Sequence, residues 1–185
     1  MLASFVPVEV TLRDGRRVRL REIRPEDRDE VRQAFERLSD ESRYLRFMSY
    51  VKELSPRMLE GAIRPQEGRE LGLVAEIPAP DGIDIVGGAR YFILPDGETC
   101  EFAVTVAEGW HRVGLASRLM RALIEGARER GLQHMDGFVL GGNSAMLTLA
   151  RRLGFTVRRD PRDQAVMIVR LALAAPSRSE DPRPI

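Results

Sequence analysis

Cysteine is nearly absent from this chain. Cys100 is the only one in 185 residues, which excludes an internal disulfide and a cysteine-built metal cluster. Histidine is almost as scarce, with only His111 and His134, so no metal site is expected. Neither sign of charge prevails. The 29 basic and 28 acidic side chains leave a net charge of +1, and this balance offers no footing for nucleic acid or for a membrane surface. Long apolar runs are missing too; none approaches the ~20 residues that a bilayer requires. The opening MLASFVPVEV has no basic stretch ahead of an apolar core, unlike a secretory signal. A cytoplasmic protein is the expectation. Lys52 is the only lysine, for which codon bias is the simplest account.

The chain does have enough length and apolar content for one domain with a real core. Its hydrophobic fraction of 43% and charged fraction of 31% are those of a globular protein. A single domain is expected over residues 1–173. The tail from Ala174 to Ile185, rich in Pro, Ser and charge, is expected to be disordered. Val8 to Leu12 and Val18 to Ile23 alternate apolar and polar residues around Asp14-Gly15, a hairpin signal. Pro25 begins a helix, a second covers Glu41 to Met48, and Ser55-Pro56 starts a third. Strands follow over Leu71 to Ile77, over Ile83 to Leu94 with an interruption at Gly87-Gly88, and over Thr99 to Val106. A helix from Gly114 to Arg130 buries Leu115, Leu119, Leu123 and Ala127 along one face. Met135 to Leu140 reads as a strand and Ser144 to Leu153 as a helix. Phe155 to Arg158 and Ala165 to Leu173 close the fold as strands. This order predicts a mixed α/β (α+β) sheet, mostly antiparallel, with one parallel crossover.

Chemistry concentrates in Glu101 to Ser117, a strand, a glycine-bearing loop and the first turn of the long helix. A helix opened in this way exposes unpaired N–H groups at the positive end of its dipole, a natural seat for a diphosphate. Gly114 and Ala116 let backbone amides approach a phosphate closely, Ser117 adds a hydroxyl and Arg112 a charge. The G-x-G-x-x-G spacing of a dinucleotide fold and the Gly-Lys-Ser/Thr of a Walker loop are both missing.

His111-x-x-Gly114-x-Ala116 resembles the acetyl-CoA loop of the GNAT superfamily of N-acetyltransferases, with His at a position where the family has Gln or Arg. Asn143-Ser144-Ala145-Met146 and Leu153-Gly154-Phe155 resemble its downstream segments. Leu38 to Phe47, LSDESRYLRF, is similar to the acetyltransferase domain of bacterial Pat-type protein lysine acetyltransferases. The resemblance implies a GNAT fold, acetyl-CoA as co-substrate and a primary amine as acceptor. A protein lysine is the expected acceptor; a small-molecule amine, or a non-catalytic acetyl-CoA-sensing module, is the alternative. It also implies that Glu101 is the general base and that the backbone at Val104 and Val106 guides pantetheine. His111, Arg112, Val113, Gly114, Leu115, Ala116 and Ser117 are implied around the diphosphate.

Asn143 suits either the pantetheine arm or the N-cap of its own helix. Arg43, Tyr44 and Arg46 are expected to border the acceptor site. Arg43 and Arg46 lie one turn apart; they suit either an acidic acceptor or a solvated helix face. Where many members carry a tyrosine that protonates the departing thiolate, this chain has Ala150. Trp110 is expected to serve packing. Cys100 falls on the apolar face of its strand and is a poor candidate for a nucleophile.

Overall fold

The computed structural model describes residues 5–173; the expected disordered tail lies outside them. The hairpin forms as strands β1 (Val8–Thr11) and β2 (Arg17–Glu22). A 3-10 turn at Pro25–Asp27 leads into helix α1 (Arg28–Glu36), followed by α2 (Asp40–Phe47) and α3 (Pro56–Ile63). Ser39 and Ser55 cap α2 and α3, their hydroxyls accepting from the N–H of Ser42 and Met58. Next come β3 (Glu70–Ala79), β4 (Gly82–Ile93), β5 (Thr99–Val106) and helix α4 (Leu115–Glu129). Strand β6 (His134–Leu140), helix α5 (Ser144–Arg152) and strands β7 (Thr156–Arg159) and β8 (Val166–Ala172) complete the chain.

The eight strands form one sheet in the order β1-β2-β3-β4-β5-β6-β8-β7. Every neighbouring pair is antiparallel except β5 and β6. The expected single crossover is therefore present, and α4 is its helix. Alternation along β5 divides the sheet. Cys100 and Phe102 turn toward the main core, where Leu115, Leu119, Leu123 and Ala127 of α4 are buried. Glu101, Ala103 and Thr105 face the side of α1, α2 and α3.

One strand differs from expectation. Gly87-Gly88 does not interrupt β4, which runs unbroken through both. The irregularity is a bulge: Ala75 pairs with Gly87 and Glu76 with Ile85, leaving Val86 as the extra residue. The glycine has a packing reason. A Cβ at Gly87 would lie 3.1 Å from Leu119 and 3.2 Å from Leu115, so its absence lets α4 lie close on the sheet.

A buried ion cluster ties the first segment to the sheet. Arg21 on β2 donates to both Asp27 carboxylate oxygens at 2.7 and 2.8 Å and to Glu76 on β3 at 2.6 Å. Asp27 also accepts from the Arg24 N–H at 2.8 Å. Among the described residues no helix is long and apolar enough to cross a membrane.

Candidate active site

The site begins where two parallel strands part. β5 and β6 pair only at Thr99, Cys100 and Glu101, opposite His134, Met135 and Asp136. Beyond Glu101 the strands separate, while β5 continues to Val106 and β6 to Leu140. Thr99 and Ala107 use their backbone groups toward β4, at Leu94 and Val86. Strand alternation then turns the N–H and C=O groups of Phe102, Val104 and Val106 toward the gap. Both residues expected to guide pantetheine, Val104 and Val106, thus present backbone there. The Val106 carbonyl already has one partner: His111 Nε2 lies 3.0 Å from it. His111 therefore braces the end of β5 from the loop.

The loop after β5 is shaped by left-handed backbone. Arg112 has φ +62° and Gly114, the N-cap of α4, has φ +93°. Such alternation gathers successive N–H groups into a concavity for anions. Among the described residues no acceptor takes up the N–H groups of Gly114, Leu115, Ala116 or Ser117. A cavity of about 440 Å³ lies beside them, lined by Thr11, Arg13, Val113, Gly114, Ser117, Arg118 and Arg121 among others.

Three of these, Arg13, Arg118 and Arg121, escape the sequence reading. Arg118 and Arg121 follow Gly114 and Ser117 at helical spacing, a signal that was available. Arg13 arrives from the hairpin turn, where its N–H donates to the Val113 carbonyl at 3.1 Å. The same turn is anchored by Arg16, which donates to the Gly109 carbonyl at 2.9 Å and stacks 3.8 Å over Trp110. Trp110 is a packing residue, as expected.

On the other face of β5 a cleft of about 460 Å³ opens between the sheet and α1, α2 and α3. Its floor is small: Gly72, Gly88, Ala103 and Thr105 line it. Its walls are apolar, with Phe35, Phe47, Leu54 and Met58, and Arg46, Arg57 and Arg90 supply charge.

Glu101 occupies the same strand face as Ala103 and Thr105. Burial raises its pKa above the ordinary carboxylate value, neighbouring Asp136 raises it further, and Arg46 opposes both. Asp136 is held by Arg170 through two hydrogen bonds at 2.7 and 2.6 Å. Glu101 makes no side-chain hydrogen bond or ion pair among the described residues, which leaves its carboxylate free to exchange a proton.

The three expected acceptor-side residues separate. Arg46 lines the cleft. Arg43 does not: its guanidinium donates to the Lys52 carbonyl at 3.0 Å and the Glu36 carbonyl at 2.9 Å, and stacks on Phe35. Helix α2 turns the two arginines to different surroundings, so they do not act as a pair. Tyr44 packs against Tyr50, with ring centroids 4.9 Å apart, and is not among the residues lining the cleft. Asn143 is the N-cap of α5, its side-chain oxygen accepting from the Met146 N–H at 3.1 Å. Ala150 is fully buried. Burial pushes the Cys100 thiol up to about 12, which removes it as a nucleophile at neutral pH. No cluster among the described residues is suited to hold a metal ion.

A family model described as Acetyltransferase (GNAT) family matches residues 26–155. An acetyltransferase of Pseudomonas aeruginosa is 38% identical over 163 residues, covering 88% of each chain. Acetyltransferase Pat of Mycolicibacterium smegmatis is 31% identical over 86% of this chain, which spans only 48% of that longer protein. Among solved structures, the GNAT domain of S. lividans PAT superposes with a TM-score of 0.83 at 26% identity, covering 90% of this chain and 96% of the other. With a family model across most of the fold and a relative aligned over nearly all of it, the chain belongs to the GNAT family of acetyltransferases, which draw the acetyl group from acetyl-CoA.

Proposed function

We propose that the chain transfers the acetyl group of acetyl-CoA to a primary amine, and that the acceptor is a protein lysine. The observation that carries this reading is the parting of β5 from β6 immediately after Glu101. It leaves a row of strand amides and carbonyls beside a free carboxylate, on the strand face whose Ala103 and Thr105 line an apolar cleft. The likeness to Pat of M. smegmatis and to the S. lividans PAT domain supports lysine as the acceptor. The apolar cleft of about 460 Å³ favours a second reading, a small-molecule amine.

In this reading the diphosphate sits on the N–H groups of Gly114 to Ser117, with Arg13, Arg118 and Arg121 around it. Helix dipole, open amides and guanidinium groups all favour that charge. Pantetheine adds to β5 as an extra strand along Val104 and Val106. Glu101 takes a proton from the acceptor ammonium, directly or through one water. The freed nitrogen attacks the thioester carbonyl, and the C–S bond breaks to release the CoA thiolate as the nitrogen gives up its second proton to solvent or to that thiolate. A thiol pKa of roughly 8.5 makes that thiolate a tolerable leaving group, so solvent suffices where Ala150 replaces the tyrosine.

The test is thiol release from acetyl-CoA with lysine peptides and with free amines. Mass spectrometry of lysate proteins after incubation checks the acceptor. Release that depends on peptide lysine is expected. Saturable CoA binding with no amine-dependent release refutes the transfer reading.

A further inference from the structure

Two arginines line the cleft without a hydrogen bond or ion pair among the described residues, the exposed Arg57 and the half-buried Arg46. Arg46 projects from α2 into the cleft. Its contact is with an apolar ring, Phe47, 4.8 Å away. Other arginines withdrawn from solvent have partners, although the buried Nε of Arg43 has none. Arg21 has Asp27 and Glu76, Arg43 has two carbonyls, and Arg90 has Glu70 at 3.0 Å and the Gly61 carbonyl at 3.3 Å. A half-buried guanidinium with no partner in the protein can bind an anion brought from outside. Burial and the like charge of Arg90 bring its pKa down to about 10, so it is still cationic at neutral pH.

The charges around Arg46 leave a deficit of anion. Glu70 is committed to Arg90. Glu101 is near enough for its charge to be felt, yet no ion pair forms between them. Arg57 adds another cation to the lining. The position of α2 is fixed relative to the CoA-side loop: Glu108 accepts from the Ser42 hydroxyl at 2.6 Å and from the Ser39 N–H at 3.2 Å. Arg46 is thus presented at a set place beside the proton-accepting carboxylate.

We propose that Arg46 receives an anionic group that the acceptor carries close to its amine, so that the preferred acceptor is a carboxylate-bearing amine with an aliphatic body. This rests on the acetyl-transfer reading above. The amine meets Glu101, the carboxylate meets Arg46, and the aliphatic part lies against Phe35, Phe47, Leu54 and Met58. Two sources supply this chemistry: an acidic residue flanking a protein lysine, or the α-carboxylate of a free amino acid.

The experiment compares matched acceptors by thiol release. One arm uses lysine peptides that differ only in a flanking Asp or Asn. The other uses free aliphatic amino acids and their amides. The acidic member of at least one arm is expected to win by about tenfold or more in kcat/KM, the size of one charge-assisted hydrogen bond. The arm that responds identifies the source. Arg46→Gln should erase the preference, mainly by raising KM for the acidic acceptor. Arg46→Lys should keep part of it, and Arg46→Glu should reverse it. An equal preference in wild type and R46Q, or none in wild type, overturns the proposal. Absence of thiol release with every amine is a separate failure, since it removes the transfer reading itself.

Discussion

Replacing Glu101 with glutamine keeps the shape of the side chain and removes only its capacity to take a proton. The carboxylate has no hydrogen bond or ion pair to lose among the described residues. Its pKa is raised, first by burial and then by Asp136. A raised carboxylate pKa contributes stability below the unfolded value, and that contribution is lost as pH rises through the folded value. Near neutral pH the ionised Glu101 therefore does not stabilise the fold, and E101Q should melt no lower than wild type.

Activity should behave differently. A positioned general base contributes about 10²- to 10⁴-fold, or roughly 2.7–5.4 kcal/mol of barrier. We expect kcat to fall by that range with the acetyl-CoA Kd unchanged. The wild-type rate should also decline on the acid side, with an apparent pKa above the ordinary carboxylate value of 4.5. That acid limb should vanish in E101Q. Stopped-flow thiol release across pH, with calorimetry for acetyl-CoA, measures both. A fall of less than about tenfold, with the acid limb retained, would refute the assignment of Glu101 as base.

Further substitutions separate donor, acceptor and scaffold. Gly88 has only the Leu73 carbonyl near its would-be Cβ, at 3.5 Å, so Gly88→Val should fold and fill the cleft floor. It should raise acceptor KM and leave acetyl-CoA affinity alone; weakened donor binding in calorimetry would contradict this geometry. Gly114→Val forces a branched residue to φ +93°, a strain of about 1–2 kcal/mol. It should weaken acetyl-CoA binding by tenfold or more, and an unchanged Kd would show that this turn is not the diphosphate seat. Asp27→Asn leaves the buried Arg21 poorly compensated, at a cost of about 3–5 kcal/mol. Urea unfolding should report it, and a loss under about 1 kcal/mol would mean that the cluster relaxes.

The sequence was most legible where a local rule decides the outcome. Asp14-Gly15 forces a hairpin, Ser39 and Ser55 cap helices, and Gly114 turns left-handed before an amphipathic helix. Each is settled within a few residues by backbone sterics or by an unpaired N–H. For the same reason Asn143 was readable as a cap. The face of β5 carrying Glu101 followed from the alternation of a strand, which needs no partner to be known.

What the sequence hid depends on distance along the chain. Arg13 reaches the Gly114 turn only because the hairpin folds onto the loop. Arg43 and Arg46 share a helix and a charge, and local spacing makes them equivalent. The neighbours of α2 separate them, giving one a pair of carbonyls and the other an open cleft. Likewise Gly87-Gly88 looked like a break in a strand until α4 lay on the sheet and made the missing side chain a packing requirement. Local sterics and hydrogen bonding wrote the elements, the alternation and the loop into the sequence; which charges are satisfied, and which remain available to a substrate, was decided only when distant segments met.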